Sequence, residues 1–356
     1  MHHVTPGKLL EILLPLYTNA AKMSEVPSIM LWGEPGIGKS QTIRKLKDEL
    51  HRLTGKEGLL RDVRLLLYNP VDLKGIPVPD EERVRSKWLR PTLFDFAEGD
   101  EFLHVLMLDE ISAAPPSVQA AAYQLILDRQ IGDHKLPDNV VVIAAGNRIG
   151  DGGVAFRMPT PLRNRMTHFK IEQDLDDWLS YAERDQLHEA VRGFIRFAGI
   201  KMLLDFRADS DEEAFPTPRS WEFVSRYLKL YGDSQLAEPA IVGTVGKGAA
   251  ASFIEYTKVF EELPDLEAIM AGQQVELKST RFDVICALSI RIAGVIPTMT
   301  SEQAHHLVDF LLKSAIKIEH IFMLISDLWR ISRTHEMIRG MSSLVQWQMS
   351  HKRFFK

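Results

Sequence analysis

Apolar residues in the first half of the chain fall into short runs separated by amphipathic stretches. Five runs each predict a strand buried in a sheet, at 28–32 (SIMLW), 63–68 (VRLLLY), 104–108 (HVLML), 140–145 (VVVIAA) and 168–171 (HFKI). Between them, residues 39–53 and 117–129 carry apolar positions at helical spacing. Strands that alternate with helices are typical of a parallel sheet covered on both faces. The pattern therefore predicts an α/β domain with a five-stranded parallel sheet flanked by helices.

The strand signal ends near residue 174, and only helical patterns follow. Apolar residues recur at helical spacing over 175–199, 219–230, 249–262, 282–293, 302–316 and 319–349. We therefore predict three parts: the α/β domain over 1–172, a helical domain over 173–264, and a further helical region over 265–356.

Composition and charge exclude several classes of protein. The 356 residues are 45% hydrophobic and 26% charged, as in ordinary globular proteins. A formal net charge of −5 gives no global basic excess, so nucleic acid is not the expected partner. The single cysteine excludes an internal disulfide framework. No stretch approaches the roughly 20 apolar residues of a membrane span, and the first residues lack the features of a signal peptide. We expect a cytoplasmic protein without membrane segments.

Residues 33–40 (GEPGIGKS) fit the pattern G-x-x-x-x-G-K-[ST] at every fixed position. A predicted strand precedes the segment and a predicted helix opens at Lys39, which is the context that this phosphate-binding pattern requires. Its glycines let backbone N–H groups face phosphate oxygens, and the helix N-terminus favours negative charge. We predict that Lys39 reaches the β- and γ-phosphates of ATP and that the Ser40 hydroxyl ligates Mg²⁺. The predicted nucleotide-binding residues are Gly33, Glu34, Pro35, Gly36, Ile37, Gly38, Lys39, Ser40, Gln41 and Asp109.

An acidic pair, Asp109 and Glu110, follows the predicted strand at 104–108. The carboxyl ends of parallel strands are where α/β sheets hold their ligands. Asp109 is then expected to hold Mg²⁺ through water, and Glu110 to orient and deprotonate the attacking water. The alternative is a simple helix cap ahead of the prolines at 115–116. The phosphate loop about 70 residues earlier favours the hydrolytic interpretation.

The predicted strand at 140–145 runs into Gly146 and Asn147. An amide at this strand end is suited to position the lytic water and to touch the γ-phosphate. In isolation a Gly-Asn pair is typical of a turn. The two motifs before it favour a role for Asn147 in hydrolysis.

The order of these motifs resembles the MoxR branch of the AAA+ ATPases. Between the acidic pair and the strand that leads to Asn147 lies the segment 127–137 (LDRQIGDHKLP), and that branch carries a short hairpin at this place. Residues 130–136, with Gly-Asp at their centre, fit such a hairpin. The resemblance covers about residues 5–260, with its best motifs inside 28–225. It implies ATP hydrolysis, assembly into a ring, a hexamer in most members, and a chaperone-like role. Many members work with a partner that bears a von Willebrand factor A domain.

The resemblance also implies roles for three arginines. By alignment Arg165 falls on the finger that reaches the γ-phosphate of a neighbouring subunit. In this chain Met166 stands where the family has an aromatic residue, and Arg163 is a second candidate, so the choice between the two stays open. Arg219, at the start of a helix in the second domain, corresponds to the second sensor, which contacts the γ-phosphate of its own subunit.

Two segments, 69–80 and 86–96, follow the second predicted strand, in a region with several prolines and a glycine. They predict an irregular excursion from the sheet. In MoxR-type proteins, insertions here and at the hairpin line the central pore. The alternative is that apolar residues of this region, such as Trp88 and Phe96, pack a helix onto the sheet.

Three classes of function remain compatible with the sequence. The leading hypothesis is an ATP-driven remodelling chaperone of the MoxR type that acts on a protein client or a von Willebrand partner. The second is a nucleic-acid motor, which would need a local basic stripe. Here the basic residues of 74–90 are mixed with acidic ones. The third is a slow nucleotide-controlled switch, which an intact Glu110 and two candidate fingers disfavour.

Overall fold

The computed structural model describes residues 2–148, 156, 158–206, 212–232, 234–330 and 332–351. The strands are β1 (His2–Val4), β2 (Ile29–Trp32), β3 (Leu60–Arg64), β4 (Ile76–Pro79), β5 (Ser86–Leu89), β6 (His104–Asp109), β7 (Gln130–Ile131), β8 (His134–Lys135), β9 (Val140–Gly146) and β10 (Thr167–Ile171). The α-helices of the first half are α1 (Pro6–Asn19), α2 (Lys39–Thr54), α3 (Pro70–Lys74), α4 (Pro116–Asp128) and α5 (Thr160–Arg163).

Later helices are α6 (Leu175–Arg184), α7 (Glu189–Ala198), α8 (Ile200–Leu203), α9 (Pro218–Tyr231), α10 (Ser234–Val245), α11 (Lys247–Thr257), α12 (Leu266–Met270), α13 (Phe282–Val295), α14 (Ser301–Lys313), α15 (Ile318–Arg330), α16 (Ser332–Ile338) and α17 (Ser342–Ser350). None of the helices in the described part of the chain is long and apolar enough to cross a bilayer.

The central sheet has six parallel strands in the order β1-β10-β2-β9-β6-β3. The predicted P-loop α/β fold is confirmed, but the predicted number of five strands is wrong. The additional strand, β1, has three residues and pairs with β10 from His2↔Phe169 to Val4↔Ile171. A strand of three residues is too short to give an alternating pattern, so the sequence did not predict it.

The second predicted strand, at 63–68, is displaced in the structure. The strand there is β3, which pairs with β6 from Leu60↔Val105 to Arg64↔Asp109, and residues 65–67 form a 3-10 turn. Leu66 and Leu67 are 50% and 73% exposed. Because β3 lies at the sheet edge and its first three residues are half-buried, it leaves a weaker apolar signal than the leucine run that follows it.

Two short hairpins, each a two-stranded sheet of its own, lie outside the central sheet. β7 and β8 pair antiparallel at the place where the sequence predicted a hairpin. The predicted irregular excursion contains a second hairpin, β4–β5, paired from Ile76↔Leu89 to Pro79↔Ser86. The two hairpins touch, since His134 Nε2 lies 2.8 Å from the Trp88 carbonyl.

Some residues of the excursion pack against the sheet, and others are exposed to solvent. Phe94 and Phe96 are buried and join the core between the sheet and α4, with Leu93 packed against it. Ile76 and Leu89 of the β4–β5 hairpin are instead 58% and 57% exposed. This region therefore both covers the sheet and presents apolar side chains to solvent.

The chain divides into two compact units. The first comprises Met1–Asp177, Phe206–Asp211 and Thr217–Arg219, and the second comprises Trp178–Asp205, Glu212–Pro216 and Ser220–Lys356. The predicted boundaries at 172 and 264 stay predictions. The second unit is helical, and three fully buried rings, Phe194, Trp221 and Phe253, meet in its core with centroids 5.3 to 5.6 Å apart.

A buried histidine at the start of β6 ties the β3 side of the sheet to the loop before β6. His104 is 1% exposed. Its Nδ1 accepts a hydrogen bond from the Leu59 N–H at 3.0 Å, so its proton is on Nε2, which lies 2.9 Å from the Ala97 carbonyl. Burial lowers the pKa of His104 below its usual value, and the charge of Arg61 adds to this. The ring is therefore held neutral in the native state.

We expect the free energy of unfolding to fall as the pH is lowered from about 6.5, the ordinary histidine pKa. Between that value and the lowered pKa of His104 the unfolded chain binds more protons than the native one, so stability rises with pH there. Denaturant titrations between pH 5 and 7.5 measure this slope, which should be smaller in His104→Gln. An equal slope in parent and variant would show that His104 does not contribute.

Candidate active site

The phosphate loop lies between the carboxyl end of β2 and the first turn of α2. Gly36 and Gly38 have φ of 76° and 102°, which only glycine adopts without strain. Gly38 is also the N-cap of α2, so the helix opens directly at the loop with no side chain in front of its first N–H groups. This arrangement is a ready-made binding site for an anion such as phosphate.

Lys39 joins the loop to a neighbouring strand end. Its Nζ donates to the carbonyl oxygens of Gly33 at 2.5 Å and Glu34 at 3.0 Å, and to Asn147 Oδ1 at 2.8 Å. The side chain is buried. Lys39 is predicted to bind phosphate and Asn147 to position water. Their hydrogen bond brings the two into direct contact, although they are 108 positions apart in the chain.

The two predicted Mg²⁺ residues also meet. Ser40 Oγ donates to Asp109 Oδ2 at 3.0 Å, and Asp109 Oδ1 accepts from the Glu110 N–H at 2.9 Å. Asp109 is the last residue of β6 and is buried. Hydrogen bonds from these two donors thus fix the orientation of the Asp109 carboxylate.

Glu110 occupies a tight turn directly after β6. Its φ is 57°, in the left-handed region that residues other than glycine rarely adopt. The Glu110 carbonyl accepts from the Ala113 N–H at 3.0 Å, and the Ile111 N–H donates to the Ala145 carbonyl at 3.0 Å. These bonds hold the turn against the neighbouring strand. Among the described residues, the Glu110 carboxylate has no hydrogen-bond or ion-pair partner, so it is available to a ligand in the cleft.

Arg219 is the one predicted arginine that lines this cleft. The cleft lining includes Gly36, Ile37, Gly38, Lys39, Ser40, Asp109, Glu110, Gly146, Asn147 and Arg219. Thr217, two residues before Arg219, packs on the loop, and a Cβ on Gly36 would lie 3.0 Å from the Thr217 Cβ. The absence of a side chain at Gly36 thus leaves room for the segment that carries Arg219.

Arg163 and Arg165 lie away from the cleft. Both are exposed and precede β10, whose first residue, Thr167, pairs with Ile29 at the start of β2. The phosphate loop follows the other end of β2, about 10 Å along the strands. Arg163 donates to Thr160 Oγ1 at 3.0 Å, whereas the Arg165 side chain has no hydrogen-bond or ion-pair partner among the described residues.

The remaining predicted nucleotide residues surround the loop. Gly33 and Glu34 contribute their carbonyl oxygens to Lys39, while Pro35 is half-buried within the loop. Gln41 is half-buried in the first turn of α2.

Several residues around the cleft were not predicted from the sequence. Gln173, after β10, donates to the Ile37 carbonyl at 2.5 Å and so secures the loop from the adjacent strand. Ser112 accepts from the Asn147 N–H at 3.0 Å, and Gly146 lines the cleft beside it. The only sequence signal for Gln173 and Ser112 was their position just after a strand end, which many polar residues share.

Residues 28–167 match the family described as "ATPase family associated with various cellular activities (AAA)". The match includes the phosphate loop, the acidic pair and Asn147, and it covers less than half of the chain. No curated protein matches the chain.

Solved structures similar to this chain include RuvB of Thermotoga maritima, NtrX of Brucella abortus and C. elegans PCH-2. A RuvB mutant is 15% identical, with 95% of this chain and 86% of RuvB covered and a TM-score of 0.34. NtrX is 14% identical, with 65% and 53% covered and a TM-score of 0.37. PCH-2 is 14% identical, with 71% and 68% covered and a TM-score of 0.34. Similarities this weak carry no argument about what this protein acts on.

Proposed function

We propose that this cleft binds Mg-ATP and hydrolyses it to ADP and phosphate. The observation that carries the proposal is the contact between three motifs from distant parts of the chain. Lys39 of the phosphate loop bonds Asn147, and Ser40 bonds Asp109, so all three motifs meet at the carboxyl edge of one sheet. A helix cap or an ordinary turn would not require these contacts.

The residues at the acidic pair suit Mg²⁺. The ion prefers hard oxygen ligands and keeps several of its waters, and Ser40 Oγ and Asp109 Oδ2 supply such oxygens 3.0 Å apart. Ser40 would ligate the ion and Asp109 would hold it through water. Bound there, Mg²⁺ would neutralise charge on the phosphates.

Each residue of the cleft then has a chemical role in hydrolysis. Glu110 accepts a proton from water as the water oxygen forms a bond to the γ-phosphorus and the bond to the β,γ-bridging oxygen breaks. Asn147 orients that water, and its amide is held by Lys39. Lys39 and Arg219 place positive charge beside the phosphates. This charge stabilises the negative charge that is spread over the γ-phosphate oxygens as ADP leaves.

The position of Arg165 favours a ring in which each active site is completed by a neighbour. Since Arg165 precedes the amino end of β10, it lies at the sheet edge opposite its own cleft. An exposed guanidinium that has no partner in the described residues is suited to enter another subunit's cleft. Arg163, which bonds Thr160, is the weaker candidate for this finger. A hexamer is the ring we propose, from the resemblance to MoxR-type proteins.

The exposed apolar residues near the hairpins favour a protein client over nucleic acid. They lie between residues 66 and 89: Leu66, Leu67, Val71, Ile76, Val84 and Leu89. The basic residues of this region are mixed with acidic ones, Asp80, Glu81 and Glu82. The proposed activity is therefore remodelling of a protein, with a von Willebrand factor A domain protein as the partner. Repeated copurification of DNA or RNA in place of a protein would favour the nucleic-acid motor instead.

We expect Lys39→Ala to weaken Mg-ATP binding by roughly 100-fold. The lost charged hydrogen bonds are worth about 3 kcal/mol, and each 1.4 kcal/mol is a factor of ten in affinity. Isothermal titration calorimetry with a slowly hydrolysed ATP analogue measures this directly. Lys47→Ala, two turns further along α2, is the control and should bind as the parent does. Equal affinity in Lys39→Ala and parent would refute the assignment of the phosphate loop.

A further inference from the structure

Ser112 connects the loop after the acidic pair to the end of β9. The side chain is buried, and its Oγ accepts a hydrogen bond from the Asn147 N–H at 3.0 Å. One residue earlier, the Ile111 N–H donates to the Ala145 carbonyl at 3.0 Å. Two bonds in succession therefore join the turn of Glu110 to the strand that carries Asn147.

The backbone carbonyl of Ser112 is hydrogen-bonded as well. Its carbonyl accepts from the Phe156 N–H at 2.7 Å and from Gln119 Nε2 at 3.4 Å. Gln119 is buried on α4, donates also to the Ala114 carbonyl, and accepts from the Tyr123 hydroxyl at 2.5 Å. Burial raises the pKa of Tyr123 to about 12, so this hydroxyl keeps its proton and remains a donor. Hydrogen bonds from Phe156 and from buried Gln119 thus hold the backbone of Ser112 in place.

Gly146 lies directly against the Ser112 side chain and leaves room for it. A Cβ built on Gly146 would lie 2.7 Å from Ser112 Oγ and 3.2 Å from Ser112 Cβ. A distance below 3.0 Å requires one of the two groups to move. The Ser112 side chain therefore reaches Asn147 only because position 146 is glycine.

We propose that Ser112 is a positioning residue for hydrolysis, whose hydroxyl holds Asn147 in register with Glu110. The inference rests on the proposed ATPase function of this cleft. Glu110 takes the proton of the attacking water and Asn147 orients that water, so the two must keep a fixed separation. The direct link between their two loops runs through Ser112 and Ile111. Binding of the phosphates depends on the phosphate loop and Lys39 and does not require this link.

We expect Ser112→Ala to lower kcat by about 10- to 100-fold, because a misplacement of about 1 Å at a reacting group costs up to 10²-fold. The Kd for Mg-ATP, measured by calorimetry, should stay within about threefold of the parent, since ground-state binding is not altered. A defect of general folding would lower the fraction of protein that binds ATP and the melting temperature together with kcat.

A double-mutant cycle separates positioning of Asn147 from any other effect. If Ser112 acts through Asn147, adding Ser112→Ala to Asn147→Ala should change kcat little beyond Asn147→Ala alone. In the parent, where Asn147 is intact, the same substitution should lower kcat by its full factor.

Gly146→Ala tests the same contact from the opposite side. The new methyl group must displace the Ser112 hydroxyl, so kcat should fall as in Ser112→Ala while ATP binding is kept. Gly243→Ala is the control, because a Cβ there meets nothing within 4 Å. This variant also carries the test if Ser112→Ala fails to fold.

The outcomes distinguish this inference from the proposed function. A parent protein that binds ATP but does not hydrolyse it would remove the proposed function itself. If the parent hydrolyses ATP and kcat is unchanged in Ser112→Ala and Gly146→Ala, the inference about Ser112 is overturned. The ATPase assignment stays in place in that case. Full additivity of Ser112→Ala with Asn147→Ala would overturn it as well.

Discussion

Glu110→Gln should reduce steady-state ATP hydrolysis by about 10²- to 10⁴-fold, the usual contribution of a general base. The amide keeps the size of the side chain but cannot accept the proton of the attacking water. Since the carboxylate has no hydrogen-bond or ion-pair partner among the described residues, the substitution removes no such bond within the protein. Binding of Mg-ATP should be retained, and the ATP-bound state should accumulate. Phosphate release and nucleotide binding, measured on the same preparation, separate the two effects.

Glu98→Gln is the matched control for this variant. Glu98 is exposed and lies in the loop before β6, outside the cleft, so its loss should leave turnover at the parental rate. If Glu110→Gln hydrolysed ATP nearly as fast as Glu98→Gln, Glu110 would not be the base, and another group would have to activate the water.

Arg165→Ala should bind ATP as the parent does but hydrolyse it about 10³-fold more slowly, the effect of removing an arginine finger. That factor corresponds to roughly 4 kcal/mol of transition-state stabilisation. Because Arg165 lies at the edge of the sheet opposite its own cleft, we expect it to act on a neighbour's nucleotide. The parental rate per subunit should therefore rise with protein concentration as rings assemble.

Mixing two inactive variants tests this arrangement. Glu110→Gln subunits lack the base but still carry Arg165, so next to an Arg165→Ala subunit they complete that subunit's cleft. Activity should partly return on mixing. Absence of rescue between two folded and assembled variants would mean that Arg165 acts in its own subunit or has no role. Arg163→Ala is the matched comparison, and rescue behaviour in that variant alone would identify Arg163 as the finger.

The cleft could be anticipated from sequence because its motifs have fixed spacing and follow strands. The phosphate loop matches at every fixed position, and the apolar runs before it, before Asp109 and before Gly146 all form strands of one sheet. In a parallel sheet the carboxyl ends of neighbouring strands share one edge, so residues after those strands meet. Asn147 and Lys39 meet there for this reason.

What could not be predicted depends on contacts that leave no local pattern. β1 is too short for periodicity, and β3 has half-buried residues at its first three positions. No helix was predicted over α10, which contains Pro239, a residue that normally interrupts a helix.

The supporting residues of the site escaped prediction for a related reason. Gln173 and Ser112 are ordinary polar residues whose roles follow only from the atoms that they reach, the Ile37 carbonyl and the Asn147 N–H. Both partners are distant in sequence and close only once the sheet has formed. The residues that we propose to carry the chemistry belong to recognisable motifs, whereas the residues that hold them in place do not.

The most direct test of the central claim is phosphate release from ATP by the purified parent protein, measured with and without Mg²⁺. We predict steady release in the presence of Mg²⁺, little release when the ion is chelated, and little release from Lys39→Ala under either condition. ATP binding without any Mg²⁺-dependent phosphate release, or equal release from Lys39→Ala and parent, would contradict the assignment of this cleft as an ATPase site.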